Sequence, residues 1–161
     1  MHSKIFQITT DRHAEPVGEM DLPEWFIGGV ADYVSEIPSD SADFEECVKA
    51  LGKYLHIKIT NNHFTVKPDT FDEYFEKQWA TFRDLVTRLN NSMSFEEFKG
   101  PYSFDGMGQL LWRINYTYED KFGYYVTNSP VADPIPINEW LRYYAKPGEM
   151  YFVKSVIDYH F

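Results

Sequence analysis

One cysteine, Cys47, stands in 161 residues. An internal disulfide is therefore excluded, and so is a zinc site built on several thiolates. No apolar run approaches the ~18 residues that a transmembrane helix needs. The opening residues, Met1-His2-Ser3-Lys4-Ile5-Phe6, enter a strand-like pattern directly and lack the apolar core of a signal peptide. These absences predict a reduced, soluble, cytoplasmic protein with no membrane association. Repeats, low-complexity tracts and linker-like stretches are missing as well, which predicts a single domain over 1–161. That length buries a core without covalent staples.

Basic residues are scarce where acids are dense. From Asp11 to Glu46 eleven carboxylates face one base, Arg12, so this segment carries −10, the net charge of the chain. The remainder has fourteen acids and fourteen bases. Direct nucleic-acid binding is disfavoured, because phosphate contacts are made by clustered Lys and Arg. A basic protein partner is favoured instead. The plainer alternative is that acidic solvated faces keep a small protein soluble.

Catalytic signatures are equally thin. No serine sits in a G-x-S-x-G context. Gly106-Met107-Gly108 lacks the third glycine of a dinucleotide loop. The adjacent pairs Glu45-Glu46 and Glu96-Glu97 point to different sides of a helix. His56 and His63 share a face of an expected hairpin but are too far apart along it to chelate one ion. Asp158 and His160 fall on one face of the last strand, where an exposed edge or frayed terminus is the simpler account. Cys47 falls on an apolar helix face, where a thiol is inert. No catalytic residue, metal ligand or cofactor is assigned.

What is abundant is aromatic: 18% of the chain is Phe, Trp or Tyr. From Asp69 to Asn91, Phe71, Tyr74, Phe75, Trp79, Phe82, Leu85, Val86 and Leu89 recur at steps of three and four. This spacing predicts one amphipathic helix over about 70–90, opened by a Thr70–Glu73 capping box. A second helix is expected from Ala42 to Leu51 or Leu55 behind the caps Ser39-Asp40-Ser41, and a helical or broken segment between Pro23 and Ile37. Asn61-Asn62 between His56–Thr60 and His63–Lys67 predicts a hairpin with Ile57, Ile59, Phe64 and Val66 facing inward. Strands are also expected at Lys4–Thr9, at Gln109–Tyr118 with partner Tyr124–Asn128, and at Met150–Phe161. A short helix follows from Trp140, Leu141 and Tyr144. The fold class expected is α+β: a mostly antiparallel sheet with the long helix packed on one face.

Trp25-Phe26-Ile27 lies within the acidic segment. Three consecutive large apolar residues cannot all face inward from one helix, so an exposed Trp25 ringed by carboxylates is one outcome and a Trp25 tucked under a loop is the other. The expected function is a non-catalytic interaction protein whose surface over 11–46, with Glu24, Trp25, Asp32 and Glu36 as contacts, meets a basic partner. One version is a nucleic-acid mimic. The alternative is a small enzyme or small-molecule binder with a pocket lined by Tyr and Trp. Oligomeric state is not encoded in any motif.

Three stretches resemble segments of small uncharacterised bacterial proteins: Ile5-Phe6-Gln7-Ile8, Trp25-Phe26-Ile27-Gly28-Gly29-Val30-Ala31-Asp32-Tyr33-Val34, and Tyr118-Glu119-Asp120-Lys121-Phe122-Gly123-Tyr124-Tyr125-Val126. Such proteins are often encoded near mobile elements, which adds a little to an anti-defence reading of the mimic. The resemblance transfers no activity and no functional residue.

Overall fold

Alternation along two strands divides the hydrophobic residues into two cores. The computed structural model of the chain describes residues 1–101, 104–120 and 122–161. In β1 (His2–Thr9) Phe6 and Ile8 face one side of the sheet and Ile5 the other. In β6 (Met150–His160) Val156 faces the first side and Ile157 and Tyr159 the second. β4 (Tyr125–Thr127) does the same with Val126 and Tyr125. The fold is α+β, and its mixed six-stranded sheet adds β2 (Tyr33–Ile37), β3 (His63–Thr65) and β5 (Ile135–Pro136) in the order β2-β6-β1-β4-β5, with β3 also on β6. β1 pairs antiparallel with β6 and parallel with β4; the pairings β2·β6, β3·β6 and β4·β5 are antiparallel. β2 and β3 share one side of β6, at its two ends.

The first core is covered by α1 (Ala42–Leu55), through Phe44, Val48, Leu51 and Leu55. Ser41 caps this helix by accepting from Phe44 N at 3.1 Å. Among the described residues, no α-helix contributes a buried residue to the second core. Val17, Leu22, Phe26 and Ala31 from an irregular segment close it. Buried Gln7 fastens that segment to the sheet: its Nε2 donates to Glu15 O at 2.8 Å and its Oε1 accepts from Val17 N at 2.9 Å. One side chain thus satisfies a donor and an acceptor that burial would otherwise orphan.

The stretch from Pro23 to Ile37 does not form the expected helix. Two turns run from Glu24 to Ala31, and β2 follows. Gly28 sits at φ 98, a left-handed backbone that a helix cannot contain. Val34 packs on the second core and Ile37 on the first, the opposite faces that a strand requires.

α2 (Asp72–Ser92) fills most of the expected long helix but not its expected place. Phe71, Tyr74 and Phe75 dock at the first core, while the rest packs along α4 (Gln109–Glu119) rather than across the sheet. Trp79 and Val86, expected to face inward, are exposed. The Thr70–Glu73 capping box is absent: Thr70 Oγ1 accepts from Lys67 N, and Glu73 pairs with His56 at 3.0 Å. α4 replaces the strand expected at Gln109–Tyr118. Leu110, Ile114 and Thr117, spaced four and three apart, are its half-buried stripe. The expected partner strand exists as β4, but it pairs with β1. Lys121, in the turn expected between Asp120 and Gly123, lies outside the described residues.

The Asn61-Asn62 turn forms with φ of 48 and 58, as a type I′ turn demands. Its first arm is joined only by the bridge Thr60↔His63, and β3 takes β6 as its partner. Phe64 and Val66 are buried; Ile57 and Ile59 are half-buried against the same core. α3 (Phe95–Lys99), capped by Ser94, α5 (Ile137–Tyr143) and β5 complete the α-helices and strands of the described residues, and single helical turns lie at Glu19–Asp21 and Phe104–Gly108. Among the described residues, no helix is long and apolar enough to cross a membrane.

Candidate functional site

The acidic segment is laid on the outside of the molecule. Of its eleven carboxylates ten are exposed and Glu19 is half-exposed. β2 ends the strand order on its side, and this edge gathers acids from three elements. Glu36 Oε1, on β2, accepts from Glu19 N at 2.7 Å, and Asp21 Oδ2 accepts from Gly18 N at 2.8 Å. Glu36 also lines a cleft with Asp43 and Glu46 of α1. Glu36 thus stands between the covering segment, to which it is bonded, and the cleft that α1 lines. Asp32, at the other end of β2, sits 2.7 Å from His160 Nδ1, and that hydrogen bond holds its carboxyl below the ordinary value.

Trp25 and Ile27 flank a buried neighbour. Phe26 is fully buried, edge-on to Tyr125 at 5.0 Å and to Tyr159 at 5.5 Å. Trp25 is 48% exposed and Ile27 40%. The turn therefore inserts Phe26 as its plug and leaves an aromatic and a branched side chain outside, beside exposed Glu24. Among the described residues, no hydrogen bond or ring contact ties Trp25 or Glu24 to Asp32 or Glu36. The four contacts expected from sequence form two pairs, one on the covering turn and one on the sheet edge.

Beneath the edge, α1 and the sheet enclose a cleft of about 590 Å³. Its floor holds an ion pair between Lys4 and Asp158, which are cross-strand partners on β1 and β6, with His2 Nδ1 2.8 Å from Asp158 Oδ2. Burial pushes Asp158 upward, but the hydrogen bonds from Lys4 and His2 outweigh it, and the carboxyl lies below its ordinary value. Asp158 and His160 do not occupy the exposed edge expected from sequence, because β6 has β1 on one side and β2 on the other. Cys47 is half-buried at this cleft, with its thiol pushed up by burial against the opposing influence of Lys4. A thiol so held stays protonated and is a poor nucleophile. Chemically, the edge presents carboxylates that a cationic group can meet. Sequence reading misses the Lys4–Asp158 pair, although both strands are legible, because their pairing is not.

A second polar cluster is fully internal. Asp120 ends α4 in the left-handed conformation, φ 55, and is 7% exposed. Its Oδ2 accepts from Tyr54 Oη at 3.0 Å. Burial raises this carboxyl from 3.8 to about 7, against smaller opposing effects of the Tyr54 hydrogen bond and the Arg142 charge. Tyr54 and Tyr74 are raised as well, chiefly by burial. Among the described residues, no group of three or more His, Cys, Asp or Glu is placed to hold a metal ion.

Compared with known proteins, the chain matches no family model, no curated protein and no solved structure.

Proposed function

We propose that this protein is a non-catalytic interaction protein that presents its acidic sheet edge to a basic protein partner. The observation that carries the reading is the exposure of ten of the eleven acids in the segment that holds the whole net charge. Glu36 supports it by joining the acids of three elements along one edge. Trp25 and Ile27 add apolar contact area next to charge, the composition of an anchor with a charged rim. A surface of this sign suits a protein that otherwise grips a phosphate backbone, so the partner's chemistry is a lysine- and arginine-rich groove.

The test is capture of partners from lysate at low and at high salt, followed by kinetics on the captured protein. Association should slow as salt rises, because exposed charges are screened within about 10 Å at 0.1 M. Reversing Asp32 and Glu36 to lysine should slow association, whereas Trp25→Ala should mainly speed dissociation. Binding that ignores salt and both substitutions would reject the proposal.

A further inference from the structure

The first half of α2 leaves aromatic surface uncovered where α4 and α5 approach it. Phe75, Trp79 and Phe82 of α2 and Tyr118 of α4 wall a groove of about 250 Å³. Trp79 and Phe82 lie within 15° of parallel with centroids 6.3 Å apart, and Phe82 and Tyr118 are 6.2 Å apart. Trp79 is 59% and Tyr118 60% exposed, so the walls are wet on the side that faces the groove mouth.

Two guanidinium groups stand over these rings. Arg142 of α5 lies 5.7 Å from the Phe75 centroid and 5.1 Å from that of Tyr118, and Arg83 lies 5.7 Å from Trp79. Among the described residues neither arginine has an ion-pair or hydrogen-bond partner, whereas Lys4, Lys49, Arg88 and Lys99 each meet a carboxylate. Glu119 and Glu139 line the depression beside Arg142 without pairing to it. In a chain of net charge −10, these are two arginines held on ring faces with open donors. A guanidinium held in this way keeps its planar edge free for a carboxylate, which it takes in two parallel hydrogen bonds.

We propose that this groove binds a small planar aromatic molecule that carries one anionic group. The ring stacks among Trp79, Phe82 and Tyr118, and the anion meets Arg142. The volume is below that of a drug-sized pocket, which sets the occupant at one or two rings. Stacking and cation–π contacts hold the ring, and the charged hydrogen bonds select the anion. This site is independent of the acidic edge, so loss of either leaves the other in place.

The experiment is titration of the full chain with 1-naphthoate and, separately, with the uncharged 1-naphthalenemethanol, followed in amide and indole N–H spectra. Naphthoate should shift the Trp79 indole and its α2 and α4 neighbours saturably. It should bind about tenfold or more tightly than the alcohol, the margin that one charged hydrogen bond supplies. Arg142→Gln should reduce naphthoate to the level of the alcohol while amide signals away from the groove keep their positions, and Trp79→Ala should weaken both probes. Equal affinities in the parent chain would overturn the anion selectivity. Binding of neither probe up to its solubility limit, shifts mapping to another face, or a dimer that shields Trp79 and excludes both probes would overturn the site.

Discussion

Replacing Asp120 with Asn isolates the cost of one buried carboxylate. Asn keeps the side-chain shape, can accept from Tyr54 Oη, and tolerates the left-handed backbone at φ 55. The change therefore removes the titration and little else. In the unfolded chain Asp120 loses its proton near 3.8, and in the folded protein near 7. Between those values the folded state holds a proton that the unfolded state has released, so stability falls as pH rises. The full contribution is present below the unfolded value and is gone once pH has passed the folded one. Each pH unit in that window removes about 1.4 kcal/mol, and the window as a whole about 4 kcal/mol. Urea unfolding from pH 4 to pH 8 measures this directly. The stability of the Asp120→Asn variant minus that of the parent chain should be small at pH 4, grow in favour of the variant through pH 7, and level off above it. A difference that stays flat with pH, or that shrinks as pH rises, would refute the reasoning.

Phe26→Ala should cost about 3–5 kcal/mol as a buried aromatic is deleted, while Trp25→Ala should change stability by less than about 1 kcal/mol. Equal losses in urea would contradict the inward and outward turn of these neighbours. Asn62→Gly should leave the melting temperature nearly unchanged and Asn62→Val should lower it, by the equivalent of about 1–2 kcal/mol, since only the latter strains the left-handed turn. Asp158 lies below its ordinary value, so its stabilisation exists above the unfolded pKa and is lost as pH falls through the folded one. Asp158→Asn should remove that part of the acid limb while leaving the loss between pH 4 and pH 7 intact, and an unchanged acid-unfolding curve would count against the ion pair.

Elements with strong local signals are legible in the residues. Ser41 caps α1, Asn61-Asn62 makes a turn, and β1 and β6 alternate clearly enough to be recognised as strands. The elements that depart from expectation are decided by distant partners. Val30, Tyr33, Val34 and Ile37 satisfy helical spacing, yet Val34 and Ile37 face two different cores, and no local pattern reveals that there are two. Trp112, Ile114, Tyr116 and Tyr118 alternate as a strand would, but they run along α4 beside α2. The aromatic stripe of α2 marks a helical face without revealing its cover, since only the first turns reach the sheet. At the site, the exposure of Trp25 follows from Phe26 taking the interior. The cleft beneath the edge depends on Lys4 meeting Asp158, which are 154 residues apart.

That separation also orders events during synthesis. β1 is made first and β6 last, and each is the other's longest partner in the sheet. At 5–20 residues per second, β1 waits about 8–30 s for the strand that completes its antiparallel side. Throughout that interval the antiparallel edge of β1 is an open template. Helix α1 and the Asn61-Asn62 turn can form early, but the sheet cannot close until β6 emerges. Folding should therefore be slow for the size of the chain, as non-local pairing generally is. Nascent chains stopped before Met150 should stay sensitive to protease and bound to chaperones, and release with β6 should end both together.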